Sequence, residues 1–274
     1  MKIKAFAAIL AALFTAHVQA DTVGLYIGGQ IWQSEVSDAL DEQDTLNGFN
    51  LKKEQQSQYF VAIEHPYPLL PNVRISSSTL DSSGKSNSTE EINFTDPASQ
   101  ILHTSVIDTI VDANVNVSYV DYTLYYELFD NGLFSFDLGL TARDFNGAIT
   151  VIEKTTTFNT WSDIFGTPYS YTSNDDSTAK IETNDIEPML YLASSFSLPL
   201  SNLSAFVQGD FLLKGDQSIY DYQVGLSYDL VDNKMIDFNL ILGYRVEHMT
   251  FEETDNLYTE VEYKGAFAGV IAHF

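Results

Sequence analysis

Apolar and polar positions alternate along most of the chain, most clearly between Tyr119 and Asp144. Val120, Tyr122, Leu124, Tyr126 and Leu128 interleave with Asp121, Thr123, Tyr125 and Glu127; then Phe134, Phe136, Leu138, Leu140 and Ala142 interleave with Ser135, Asp137, Gly139, Thr141 and Arg143. A period of two over such lengths predicts strands with one apolar face. Asp130-Asn131-Gly132 supplies the connection, and a three-residue loop with Gly in the left-handed conformation keeps both apolar sets on one side. Pairing Leu128 with Phe134 places Asp121 opposite Thr141 and diagonal to Arg143.

The same unit recurs downstream. Tyr220, Tyr222, Val224, Leu226, Tyr228 and Leu230 share one face, with Asp221, Gln223, Gly225, Ser227 and Asp229 on the other. Asp232-Asn233-Lys234 turns the chain into Ile236, Phe238, Leu240, Leu242, Tyr244 and Val246, against Asp237, Asn239, Ile241, Gly243, Arg245 and Glu247. Matching the apolar faces sets Asp221 opposite Arg245 as a cross-strand ion pair. It also sets Asp229 opposite Asp237, which either warns about register or marks a pair near solvent at a rim. At the start of the chain, Val23, Leu25, Ile27 and Ile31 face one way and Gly24, Gly28 and Gln30 the other. Weaker strands over 58–64, 73–80, 187–198, 203–212 and 257–274 bring the number to ten.

A soluble sandwich would produce the same alternation. Three features favour an up-and-down transmembrane barrel. Tyr and Phe lie near the strand ends, as aromatic girdles require. Short connections (66–72, 130–132, 199–202, 232–234) alternate with mostly long ones (34–57, 81–112, 145–185, 213–218, 248–256), which fits short periplasmic turns and long extracellular loops. Finally, the chain ends with Ala266, Ala268, Val270, Ala272 and Phe274 on one face.

Charge and targeting signals narrow the picture. With 38 acidic against 13 basic residues, the net charge of −25 argues against nucleic acid and anionic lipid surfaces as partners. No Cys is present, which excludes disulfides and thiolate sites. Lys2 and Lys4, the apolar stretch 5–16 and Val18-Gln19-Ala20 form a signal peptide over 1–20, leaving 21–274 as the barrel domain. No apolar run in that domain is long enough for a membrane helix, so a membrane location requires a closed barrel.

The last strand, closing on Phe274, looks like the signal by which the barrel assembly machinery recognises Gram-negative outer-membrane proteins; Val270, Ala272 and Phe274 carry that likeness. Four segments resemble a family of outer-membrane barrels of gammaproteobacteria that carry GlyGly-CTERM sorting systems. They are Gly24-Leu25-Tyr26-Ile27-Gly28-Gly29-Gln30-Ile31-Trp32, Glu64-His65-Pro66-Tyr67-Pro68-Leu69-Leu70-Pro71-Asn72-Val73, Asp121-Tyr122-Thr123-Leu124-Tyr125-Tyr126-Glu127-Leu128 and Phe267-Ala268-Gly269-Val270-Ile271-Ala272-His273-Phe274. The resemblance implies a fold, an outer-membrane location, and lipid and lipopolysaccharide as surroundings. It brings no reaction and no catalytic residue.

The charged groups expected inside the barrel are Arg74, Asp121, Asp137, Arg143, Asp210, Asp221, Asp237 and Arg245, with Glu64, Glu187, Glu247 and Lys264 beside them. Arg or Lys facing lipid near the midplane would cost about 2–4 kcal/mol, so one wet face must collect them. A lumen filled by ion pairs makes the barrel structural; an open one makes a narrow cation-favouring channel. The rival from another class is a hydrolase built at the outer rim from His103 or His248 with Asp108, Asp112, Glu247, Glu252, Glu253 or Asp255. No serine nucleophile motif accompanies these, and the expectation is no enzyme, cofactor or dedicated metal site.

His65 and His273 are read as structural. Acidic loop residues (Glu35, Asp38, Asp41, Glu42 and Asp44; Asp175, Asp176 and Asp185) are candidate contacts for divalent cations. Phe158, Trp161, Phe165, Tyr169 and Tyr171 suit plugging the mouth, packing on another loop, or contacting a partner or ligand. The stretch 98–113 reads as either a short helix or a strand extension.

Overall fold

The computed structural model describes residues 23–40, 50–67, 69–213, 218–231, 236–252 and 258–274, so the signal peptide lies outside the described residues. The period of two is realised as strands: β1 (Gly24–Leu40), β2 (Glu54–Glu64), β3 (Asn72–Thr95), β4 (Leu102–Asp130), β5 (Phe134–Ser162), β6 (Pro168–Thr183), β7 (Ile186–Ser197), β8 (Leu203–Leu212), β9 (Ile219–Val231), β10 (Asp237–Glu252) and β11 (Tyr258–His273). All pairings among them are antiparallel and belong to one sheet. β1 pairs with β11, and β4 with β5, so the sheet closes on itself. Closure removes edges and satisfies backbone groups within the wall, which is what a hydrocarbon environment demands.

The ring runs through ten of the eleven strands. β5 pairs with β7 over 134–144 and with β6 only over 147–162, so β6 continues the line of β7 beyond the ring. β4 and β5 each have 29 residues, about 95 Å of extended chain at roughly 3.3 Å per residue. A bilayer needs only about 9–11 residues of tilted strand. The excess of β3, β4, β5 and β6 forms a four-stranded sheet projecting from one end. The stretches 81–112 and 145–185, expected as loops, are therefore largely strand. Ser, Thr and Asn on both faces hide the alternation there, and backbone pairing takes over where side-chain patterning stops. The stretch 98–113 resolves as a turn followed by β4.

At the other end the turns are short, and the described start and finish of the chain meet: Phe274 N donates to Leu25 O at 2.9 Å and Leu25 N to Phe274 O at 3.2 Å. Gly132 sits in the β4–β5 turn at φ +78°, the left-handed conformation expected of it.

Two registers differ from the sequence expectation by the same amount. Asp121 pairs with Arg143 rather than Thr141, and Arg245 with Gln223 rather than Asp221. Asp229 pairs with Asn239, which relieves the expected Asp229–Asp237 clash. Each hairpin has an irregularity beside its turn, between Glu127 and Phe129 and between Phe238 and Asn239. Each pairing is displaced by two residues, so every side chain keeps its face.

The outward face of the ring is apolar. Ile31, Ile75, Leu124, Leu140, Val207, Leu226, Leu242 and Val270 are all exposed on it. The inward face is filled by an unusual device: three inward glycines stand directly opposite phenylalanines on the next strand, Gly28 with Phe60, Gly225 with Phe206 and Gly243 with Phe267. A Cβ at Gly243 would sit 2.6 Å from the Phe267 ring and 2.2 Å from Val224 O, so each Phe takes space its partner leaves.

Candidate functional site

Five charged side chains meet inside the ring where β4, β5, β9 and β10 face one another. Arg143 donates through Nε to Asp121 Oδ1 at 2.8 Å and through Nη2 to Asp121 Oδ2 at 2.9 Å, a two-pronged pair. It also reaches Asp221 Oδ2 at 3.1 Å and Glu247 Oε1 at 3.3 Å. Arg245 grips Asp221 in the same way, Nε to Oδ1 at 2.8 Å and Nη2 to Oδ2 at 2.6 Å, and lies 3.3 Å from Glu247 Oε2. Arg143, Arg245 and Glu247 are at most 1% exposed.

Tyr119 completes the cluster. Its hydroxyl accepts from Arg245 Nη2 at 2.7 Å and donates to Asp221 Oδ2 at 3.3 Å, while its ring lies 3.9 Å below the Arg143 guanidinium. Trp32 lies 5.1 Å from the Arg245 guanidinium. Three carboxylates thus share two guanidiniums. A buried charge left unpaired is strongly destabilising, so removing any member strands the others.

Layers above and below seal this level. Toward the projecting end an apolar plug packs Trp32, Leu80, Val117, Phe145, Met249 and Tyr263 against one another. Toward the short turns, Gln30 donates to Gln58 at 3.0 Å and to Gln223 at 2.9 Å, tying three strands across the lumen. Thr141 donates to Asp210 at 2.6 Å, and Arg74 caps Phe60 at 3.6 Å. The cavity between these groups has about 10 Å³, room for about one water.

The remaining expected lumen residues are spread out. Asp137 pairs with Glu127 near the short turns; Glu64 accepts the Tyr125 hydroxyl at 2.7 Å; Asp237 lies 3.4 Å from His273, which stacks on Tyr26 at 4.2 Å. His65 reaches Pro71 O at 3.2 Å in the β2–β3 turn. Glu187 stands opposite Arg143 on β7. Lys264 is a correction. It has the parity of Ala266, while Tyr263, Gly265 and Phe267 point inward, so it lies on the outer wall beside Glu262, 2.8 Å away. It sits toward the projecting end of the wall, where the cost of a lipid-facing cation has fallen.

Sequence reading missed Trp32, Tyr119 and the Gln30–Gln58–Gln223 row. The available signal was parity: Trp32 follows Gln30 by two, and Tyr119 precedes Asp121 by two.

The groups considered for hydrolysis are dispersed. Glu247 points into the cluster, while its neighbour His248 lies on the outer wall, stacked on Tyr220 at 4.7 Å and 3.6 Å from Glu260. His103 and Asp108 fall on opposite faces of β4; Asp108 accepts from Thr89 at 2.7 Å, and Asp112 pairs with Lys85 at 3.1 Å. The Glu252 side chain, Glu253 and Asp255 lie outside what is described, as do Asp41, Glu42, Asp44 and the Asp38 side chain; Glu35 pairs with Lys53.

The projecting sheet carries the second cluster. Phe94, His103, Trp161 and Tyr169 stand opposite one another across all four strands, with successive ring centroids 6.4, 5.7 and 5.8 Å apart. Tyr171 follows on the same face beside Asn159, which accepts from Ser105 at 2.6 Å, while Phe158 points to the other face. Beyond the row, Ile164 and Phe165 are 74% and 86% exposed in the β5–β6 turn. That turn is held by Asp163, whose carboxylate accepts N–H groups from Thr167 at 2.8 Å and Phe165 at 2.9 Å; these bonds hold its pKa below the ordinary aspartate range.

Fold and site together define a transmembrane antiparallel β-barrel with a filled lumen. No protein-family model and no curated protein matches the chain. Solved structures do. The toluene transporter TodX of Pseudomonas putida is 10% identical, over 92% of this chain and 90% of that one, with a TM-score of 0.27. The outer membrane protease OmpT of Escherichia coli is 10% identical, over 95% and 99%, with a TM-score of 0.34. Ail, the attachment invasion locus protein of Yersinia pestis, is 12% identical, over 91% and 99%, with a TM-score of 0.22. Overlaps this loose bear on neither activity nor ligand.

Proposed function

We propose that the protein is a bacterial outer-membrane barrel, sealed to solutes, whose working part is the sheet projecting outside the cell. The observation that carries this reading is the Arg143–Asp221–Arg245 cluster with Glu247, capped by the Trp32 and Tyr263 plug: side chains from facing walls meet across the lumen. A ten-stranded ring offers little more room than the roughly eight strands whose interior side chains just fill. The short turns and both described ends of the chain then face the periplasm, in the usual outer-membrane arrangement. In this reading Val270, Ala272 and Phe274, at the end of the chain that pairs with β1, serve as the signal to the barrel assembly machinery. The resemblance to barrels of gammaproteobacteria with GlyGly-CTERM systems belongs to the same proposal. It includes no catalytic role, since Glu247 and His248 point to opposite sides of the wall.

Planar-bilayer recording of the refolded full chain tests it. A silent barrel is expected; discrete, cation-favouring openings at neutral pH would replace the sealed anchor with the narrow channel.

A further inference from the structure

β6 ends the sheet. Among the described residues it pairs only with β5, leaving its other side unpaired beyond the ring. From Pro168 to Lys180 every residue but Ser173 is exposed. An unpaired strand edge offers a row of backbone donors and acceptors and is a template for another extended chain. We propose that this edge takes up an extended, basic polypeptide segment as a further strand. The inference rests on the sealed-anchor reading, because only then is the projecting sheet the working surface.

Charge selects the occupant. The distal sheet has four carboxylates in 86–109 and three in 155–179, with no Lys or Arg in either stretch; Lys154, just before the second, stands across from Asp176, which leaves Asp175 as the carboxylate of distal β6 that faces no cation on β5. On β6, Asp175 shares the face of Tyr169 and Tyr171, and Asp176 lies on the opposite face. An added strand with a basic residue at every second position sets them all along the Tyr face, where they meet Asp175. Arg on the Tyr face also stacks against Tyr171 and the Trp161–Tyr169 pair, whose rings are 5.8 Å apart. The cation of β6, Lys180, is near the barrel and already paired with Glu182 at 2.5 Å. A second copy of β6 is a poor occupant, since antiparallel pairing about its middle sets Asp175 and Asp176 against like charge.

The test uses the full chain refolded into zwitterionic vesicles. Its probes are three fluorescent peptides as long as the exposed part of β6: alternating Arg and Thr, alternating Glu and Thr, and the Arg–Thr peptide N-methylated at every second residue. The expected result is binding of the Arg–Thr peptide with a shift in Trp161 emission. Binding should weaken about tenfold or more for each control peptide and for the D175K/D176K variant. Equal binding of the N-methylated peptide reduces the effect to counterion attraction and overturns strand addition. Equal binding of the Glu–Thr peptide, indifference to D175K/D176K, or self-association of the chain through β6 overturns the basic occupant. Silent vesicles that ignore the Arg–Thr peptide sink this inference alone, whereas conducting vesicles sink the sealed-anchor reading whatever the peptide does.

Discussion

Arg143 and Arg245 meet on a single oxygen: both donate to Asp221 Oδ2, at 3.1 and 2.6 Å. Two like charges are thus held by one carboxylate, with Asp121 and Glu247 closing the cluster from either side. Asp221 is its hub. Replacing it by Ala leaves Arg245 only Tyr119 and the more distant Glu247 as polar partners, and should lower stability by about 3–5 kcal/mol. Urea unfolding in vesicles measures this. A loss similar to that of an exposed Asp→Ala change would mean that the charges do not form a unit.

Tyr119 is expected to act through its hydroxyl as well as its ring. Tyr119→Phe keeps the ring under Arg143 but removes the acceptor for Arg245, and should cost about 1–3 kcal/mol. The same unfolding assay applies, and a neutral substitution would show that water replaces the hydroxyl.

The opposed pair Gly243 and Phe267 predicts an asymmetric response. Gly243→Ala drives a Cβ into Val224 O and the Phe267 ring, costing about 1–3 kcal/mol through overpacking. Phe267→Ala instead empties lumen space and should cost about 3–5 kcal/mol. Combining both changes should cost less than their sum, because the smaller ring position accommodates the new methyl; strict additivity would show that the pair is not coupled.

The turn at Asp163 should loosen in acid. Its pKa is lowered in the folded turn, so its stabilising contribution is fully present above the ordinary aspartate value of about 3.9 and is lost as pH falls through the lower folded value. Trp161 emission, taken as the difference between the protein and its Trp161→Phe variant, should stay constant from neutral pH to about pH 4 and change below it. In Asp163→Asn that acid step should vanish. Persistence of the step would assign it to another carboxylate.

The aromatic row should stabilise the projecting sheet and leave the barrel alone. Trp161→Ala removes contacts to both His103 and Tyr169, each pair worth about 0.5–1.5 kcal/mol. Hydrogen exchange should speed up in 92–105 and 158–171, while protection around 119–125 is unchanged. A uniform rise across the chain would place the row in the global folding unit.

Much of the wall was readable because its pattern is local. Leu124 and Leu140 announce an outer face by period alone, and Gly132 announces its turn through the conformation that only Gly adopts cheaply. The registers were not readable, since the irregularities at Glu127/Phe129 and Phe238/Asn239 leave parity intact while moving Asp121 from Thr141 to Arg143. The projecting sheet was hidden as well: a strand polar on both faces has no hydrophobic period, and Phe94, His103, Trp161 and Tyr169 become neighbours only through pairing.

The amino-acid order alone decided which side chains face lipid and which face inward, because alternation needs nothing beyond adjacent residues. Register within each hairpin set the Asp121–Arg143 and Asp221–Arg245 pairs. Closure of the ring then decided which hairpins touch: Arg143 reaches Asp221 and Glu247 from the facing wall, and those contacts depend on the diameter of the ring and the depth at which each strand is held.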